Sequence, residues 1–74
     1  MRNAPTNSAM LVGRNIAERR EDLGLTRAQL ADRLGVTTVA IYYWETGMRG
    51  ISGAKLPEVA AALHCTVGDL YASE

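Results

Sequence analysis

Residues 26–47 read TRAQLADRLGVTTVAIYYWETG, and the fold depends on how that stretch divides. Thr26 followed three residues later by Gln29 has the form of a capping box, in which side chain and backbone satisfy each other at a helix start. A helix is expected over residues 27–34, and Gly35 can take the left-handed conformation that stops it. Thr37 is a second N-cap, for a helix over 38–46 that Gly47 closes. On a wheel turned about 100° per residue, Ala40, Ile41 and Trp44 share the inner side of this helix. The outer side carries Thr38, Val39, Tyr42, Tyr43 and Thr46, with no lysine or glutamate to solubilise it. Such a face is expected to meet something other than water.

The corner between the two helices is tight. Ala31 is small enough to let the next helix approach the backbone, while Leu30, Leu34, Val36, Ile41 and Trp44 close one shared core. Together with Gly35 this is the spacing of a helix-turn-helix, whose second helix projects into a DNA major groove.

Working outward, Val12, Ile16, Arg20 and Leu23 make a helical stripe from Ser8 onward, interrupted by one arginine and stopped by Gly24. Residues 1–7 show no periodic apolar signal and are expected to be a flexible tail ahead of a domain spanning 8–74. GMRGISG (47–53) reads as a loop whose glycine spacing fits neither a dinucleotide nor a P-loop motif. Pro57 suits the first turn of a fourth helix that buries Leu56, Val59, Ala60 and Leu63. Thr66 with Asp69 opens a short last helix carrying Val67, Leu70 and Tyr71. Five helices and no strand signal make the expected class all-α.

Seventy-four residues give room for one domain with a small core. Apolar residues are 47% and charged residues 22%, the balance of an ordinary soluble domain. No apolar run approaches the ~20 residues that span a bilayer, and no secretory signal opens the chain. One cysteine cannot form an internal disulfide, which fits a cytoplasmic location. Net charge is zero, but residues 1–55 hold all 8 Lys/Arg with 5 acids, and residues 56–74 hold only Glu58, Asp69 and Glu74. The acidic end is expected to face away from a polyanion. His64 and Cys65 are the sole His and Cys and lack zinc spacing; Cys65 is expected in the core. No nucleophile, base and orienter can be assembled, so no enzyme, metal or cofactor is expected.

The runs IAERREDLGLTRAQLADRLGV, IYYWETG and LPEVAAALHCTVGDL together resemble the lambda-repressor/Cro (XRE-type) helix-turn-helix domains of bacteria and their phages. The likeness covers Val12 to Leu70. It implies a five-helix lambda-repressor-like DNA-binding domain with the helix-turn-helix at helices 2 and 3, and a homodimer on a palindromic double-stranded DNA operator. It also implies an ion pair joining helix 1 to the end of helix 3, matched by Arg20 and Glu45, which accounts for the arginine in the first stripe. Thr38, Val39 and Tyr43 match the positions that read base edges. Thr37 and Tyr42 match positions beside phosphates or the groove wall, though Tyr42 also reads as a packing residue or dimer contact. Thr26 and Arg27 match the backbone contacts at the start of helix 2. Arg49, Gly50, Ser52 and Lys55 match a second clamp, on a loop one residue longer than in some relatives. Arg14 and Arg2 are auxiliary candidates that read more plainly as solvated charges. Many relatives carry Gln, Asn or Arg at the base-reading positions; their absence here argues against bidentate readout.

The expected function is a sequence-specific DNA-binding transcriptional regulator, a repressor such as a phage Cro-like protein, with helix 3 in the major groove. By analogy with short stand-alone relatives, Leu70, Tyr71 and the end of helix 4 are the expected dimer surface. A chain this short leaves no room for an effector domain, so control is expected through abundance or a partner. The alternative is a protein-interaction module, such as an antitoxin or partner-docking subunit, whose tyrosine face docks a protein. Zero net charge favours that alternative.

Overall fold

The computed structural model describes residues 7–73. Five helices follow in order: α1 (Asn7–Asp22), α2 (Arg27–Leu34), α3 (Thr38–Thr46), α4 (Leu56–Ala62) and α5 (Val67–Leu70). Among the described residues there is no strand, and the fold is the all-α class read from the sequence. Of the expected tail, residues 1–6 lie outside the described residues, and Asn7 opens α1.

Local chemistry sets the boundaries of α2 and α3. The Thr26 hydroxyl accepts from the Gln29 amide at 3.0 Å, and the Gln29 side chain accepts from the Thr26 amide at 2.8 Å. Both halves of the capping box are made. Gly35 ends α2 at φ 68°, a conformation a side chain would strain. The Thr37 hydroxyl then accepts from the Ala40 amide at 3.1 Å and starts α3. Two capped ends with a left-handed glycine between them force the chain through the corner.

The core is built from every helix: Val12 and Ile16, Leu30, Ala31 and Leu34, Ile41, Leu56, Val59 and Ala60, Leu63 and Leu70. Val36, Trp44 and Cys65 pack partly buried against it. Leu23 departs from expectation. The helix is released at Asp22, Gly24 turns the chain at φ 72°, and Leu23 is left exposed rather than continuing the stripe.

Gly13, in the middle of α1, has no room for a side chain. A Cβ there would lie 2.2 Å from the Trp44 carbonyl oxygen and 2.7 Å from that of Glu45. Backbone therefore meets backbone where α1 crosses the end of α3. A helix-interior glycine costs about 0.8–1.0 kcal/mol relative to alanine, and close approach offsets that cost here. Gly68, in α5, has only the Thr66 hydroxyl near its added Cβ, at 3.6 Å.

The C-terminal end is tied back by Asn15, whose Nδ2 donates to the Leu70 carbonyl at 2.9 Å and the Ala72 carbonyl at 2.8 Å. The α5 capping box is also complete, with Asp69 accepting from the Thr66 amide at 2.9 Å. Backbone and side-chain hydrogen bonds from Thr66 hold the Asp69 carboxyl below its ordinary pKa, with Arg19 adding to the shift. A depressed carboxylate pKa contributes stability above its unfolded value, and that contribution is lost as pH falls through the folded value.

These contacts set the expected outcome of three substitutions. Gly13→Ala should lower stability by about 1–3 kcal/mol through overpacking, a melting shift of roughly 4–8 °C per kcal/mol. Gly68→Ala should be neutral or slightly stabilising in the same thermal melts. Asp69→Ala should lower the urea midpoint at neutral pH, with the gap from the parent closing as pH falls below the ordinary aspartate value of about 3.9.

Candidate nucleic-acid interface

The inner side of α3 is anchored by Ile41, which is fully buried, by half-buried Trp44 and by Glu45. The outer side faces away from the core. Val39 is 57% exposed and Tyr42 46%, Thr38 is exposed and Tyr43 half-buried. Thr46 does not point outward as a free hydroxyl; it donates back to the Tyr42 carbonyl at 2.9 Å.

Glu45 sits where three helices meet. Its carboxylate receives Arg20 Nε at 2.6 Å and Arg20 Nη2 at 3.2 Å, a two-point pairing across α1 and α3. The third edge of Arg20, Nη1, donates to the Leu25 carbonyl at 2.8 Å, so its fork is used on every side. The hydrogen bond that Arg20 donates to Glu45 raises the Arg20 pKa above its ordinary value, against the opposite pull of burial. A second arginine joins from α2: Arg27 Nε donates to Glu45 Oε1 at 2.8 Å. The Glu45 side chain is only 2% exposed while that of Arg27 is 41% exposed. The buried acid thus serves one interior cation and one surface cation.

The sequence pattern indicates Arg20 and Glu45 but places Arg27 only beside DNA. Its bond to Glu45 arises from how closely α2 crosses α3, a distance that only the folded corner sets. Two further contacts were not legible. The Arg27 guanidinium lies over the Tyr42 ring at 5.2 Å, and that of Arg49 over the Tyr43 ring at 4.9 Å. The two rings are themselves 5.9 Å apart and tilted by 56°. Arg27, Tyr42, Tyr43 and Arg49 form one continuous row across the outer face, with a cation at each end. The Arg49 amide donates to the Tyr43 carbonyl at 3.3 Å, which returns the loop over the end of α3.

The remaining expected backbone contacts are more occupied than the sequence suggests. The hydroxyls of Thr26 and Thr37 are spent on caps. Ser52 Oγ accepts from the Lys55 amide at 3.2 Å, and Lys55 Nζ pairs with Glu58 at 3.1 Å, on the surface. Gly50 is exposed in the same loop, and Arg14 is exposed on α1. Arg2 lies outside the described residues.

One expectation is overturned. Leu70 is 0% exposed in the monomer, packed in the core where α5 meets α1, so it cannot present a dimer surface. Tyr71, the next residue, is exposed and borders a cleft of about 200 Å³ with Ala9, Val12, Trp44 and Ile51. Cys65 is half-buried and its thiol pKa is pushed up by burial; His64 is exposed at φ 59°. Among the described residues no three His, Cys, Asp or Glu side chains are grouped to hold a metal ion, and no helix is long and apolar enough to cross a membrane.

A capped two-helix corner with a projecting second helix defines a helix-turn-helix domain. The chain belongs to the helix-turn-helix family of lambda-repressor/Cro (XRE) type, whose family model, described as "Helix-turn-helix", matches residues 16–70. Domains of this family bind double-stranded DNA. Solved structures share the fold. The clp gene regulator ClgR from Corynebacterium glutamicum is 25% identical with a TM-score of 0.82, over 90% of this chain and 71% of that one. The restriction–modification controller protein C.AhdI from Aeromonas hydrophila shares the fold, with a TM-score of 0.83 at 24% identity over 89% of this chain and 100% of that one. Apo-HppE is also similar, with a TM-score of 0.84 at 27% identity over 89% of this chain; the chain spans 37% of the HppE chain. No curated protein matches the chain in sequence.

The Glu45 junction yields a stability prediction. Glu45→Ala strands the buried Arg20 charge and should cost about 3–5 kcal/mol, measured by urea unfolding. Arg27→Ala leaves the Arg20–Glu45 bond in place and should cost far less, at most about 1 kcal/mol.

Proposed function

We propose that the chain is a sequence-specific regulator of transcription that enters the DNA major groove with α3, as a Cro-like repressor would, and binds as a homodimer. The observation that carries this reading is the outer face of α3. It is exposed, it lacks acidic side chains, and it is flanked by Arg27 and Arg49. Thr38, Val39 and Tyr43 are the base-reading residues: a threonine hydroxyl serves several bases, and a valine methyl packs on a thymine methyl. Arg27 and Arg49 meet phosphates on either side, aided by the helix N-termini behind Thr26 and Thr37 and by Gly50, Ser52 and Lys55, with Tyr42 beside the Arg27 guanidinium. Two copies on a palindromic operator would occupy major grooves about 34 Å apart. Tyr71 and its cleft are the exposed apolar surface available for the dimer contact. The fold neighbours ClgR and C.AhdI, described as a gene regulator and a controller protein, support a regulatory role, and a cytoplasmic location belongs to the same proposal.

A mobility-shift assay on genomic fragments at low and physiological salt tests this reading. Sequence-selective retardation is expected; no retardation at either salt would favour a protein-docking module. Arg27→Ala should weaken binding by a similar factor on all sequences and make the log–log salt slope shallower by about one unit. A loss confined to one operator base would contradict a phosphate contact.

A further inference from the structure

Glu45 binds two arginines in different ways, and the difference assigns them different work. Arg20 spends Nε and Nη2 on Glu45 and Nη1 on the Leu25 carbonyl. Arg27 spends Nε alone: among the described residues neither of its Nη groups has a hydrogen-bond partner. A bond at Nε restricts the direction of the guanidinium plane, and the guanidinium carbon lies over the Tyr42 ring, 5.2 Å from its centre. The side chain is thereby held at two points with its two-nitrogen edge unspent. A free arginine loses rotamer freedom when it is immobilised, and one already immobilised loses less on binding.

We propose that Tyr42 and Glu45 are positioning residues that hold Arg27 in advance as a clamp for a DNA phosphate. The proposal rests on the DNA-binding reading above and gives Tyr42 a role distinct from direct contact: its ring acts through Arg27. Phosphate grip at the start of α2 and the placement of α3 are then linked through one carboxylate. A phosphate that takes the Nη edge leaves the Nε bond to Glu45 intact, so clamp and recognition helix engage together.

The test is a double-mutant cycle in duplex binding, read by fluorescence anisotropy on a mixed-sequence duplex about three helical turns long. Phosphate contacts are sequence-independent, so no operator need be known. Tyr42→Leu should weaken binding about two- to fivefold in the parent chain, the range of an exposed cation–aromatic contact, and not at all in Arg27→Ala. Tyr42→Phe, which keeps the ring and lacks the hydroxyl, should bind like the parent. Equal losses from Tyr42→Leu in both backgrounds, or a Tyr42→Phe loss as large as that of Tyr42→Leu, would overturn the positioning role. A DNA-free readout stands beside these. The Arg27 side-chain protons should show a ring-current shift that survives in Tyr42→Phe and vanishes in Tyr42→Leu; its absence from the parent would overturn the proposal. Failure of the parent chain to bind any duplex at low salt would overturn the DNA-binding reading itself, whatever the Arg27 protons show. Glu45 is left unsubstituted in the cycle because its removal strands Arg20.

Discussion

The Glu45 carboxylate is the constraint on which the rest depends. An acid that is almost wholly buried must be paired, because an isolated charge in the interior costs far more than a small domain's net stability. The fold meets that requirement by bringing Arg20 from α1 and Arg27 from α2 to the last turn of α3. Three helices are thereby tied at one point by directional bonds. Apolar packing at Ile41 and Trp44 is compatible with several rotations of α3 about its axis; a two-point arginine–carboxylate pair is compatible with few. Gly13 completes the joint by letting α1 lie on the Trp44 and Glu45 carbonyls. The orientation of the outer face of α3 follows from what is fixed on its inner face.

Much of this was legible before any coordinates. Capping boxes and left-handed glycines are short-range chemistry, so Thr26, Gly35, Thr37, Gly47 and Thr66 could be placed from their neighbours alone. The core positions followed from helical period, and the fold class from both. What the sequence could not disclose was contact between elements. Arg27 looks like any helix-opening arginine until α2 crosses α3, and the arginine–tyrosine row needs the loop after α3 to fold back. Leu70 shows the reverse failure: apolar and near the chain's end, it suited a dimer surface equally well, and only the packing of α5 on α1 buries it. Gly13 left a faint signal, a glycine in a helix that gains nothing locally from having one.

Zero net charge looks unpromising for a DNA-binding domain, yet the charges are unevenly placed on the folded chain. Glu45 is enclosed between two arginines, Glu58 is paired with Lys55, and Asp69 is engaged in a helix cap with Arg19 at 3.9 Å. The cations at Arg27 and Arg49 instead lie on the rings of the projecting helix. A local field of this kind governs where a polyanion settles more than the sum of formal charges does. The aromatic row also suits its place, since tyrosine offers a large, stiff surface with few rotatable bonds to immobilise.

The central claim is that the threonine, valine and tyrosine face of α3 is held outward to meet a duplex. Amide chemical-shift mapping of the isotope-labelled chain during titration with duplex DNA tests it most directly. Shifts are expected to concentrate at Thr38, Val39 and Tyr43 and to extend to the start of α2 and to Arg49. Shifts confined to α4 and α5, with α3 silent at saturation, would contradict it.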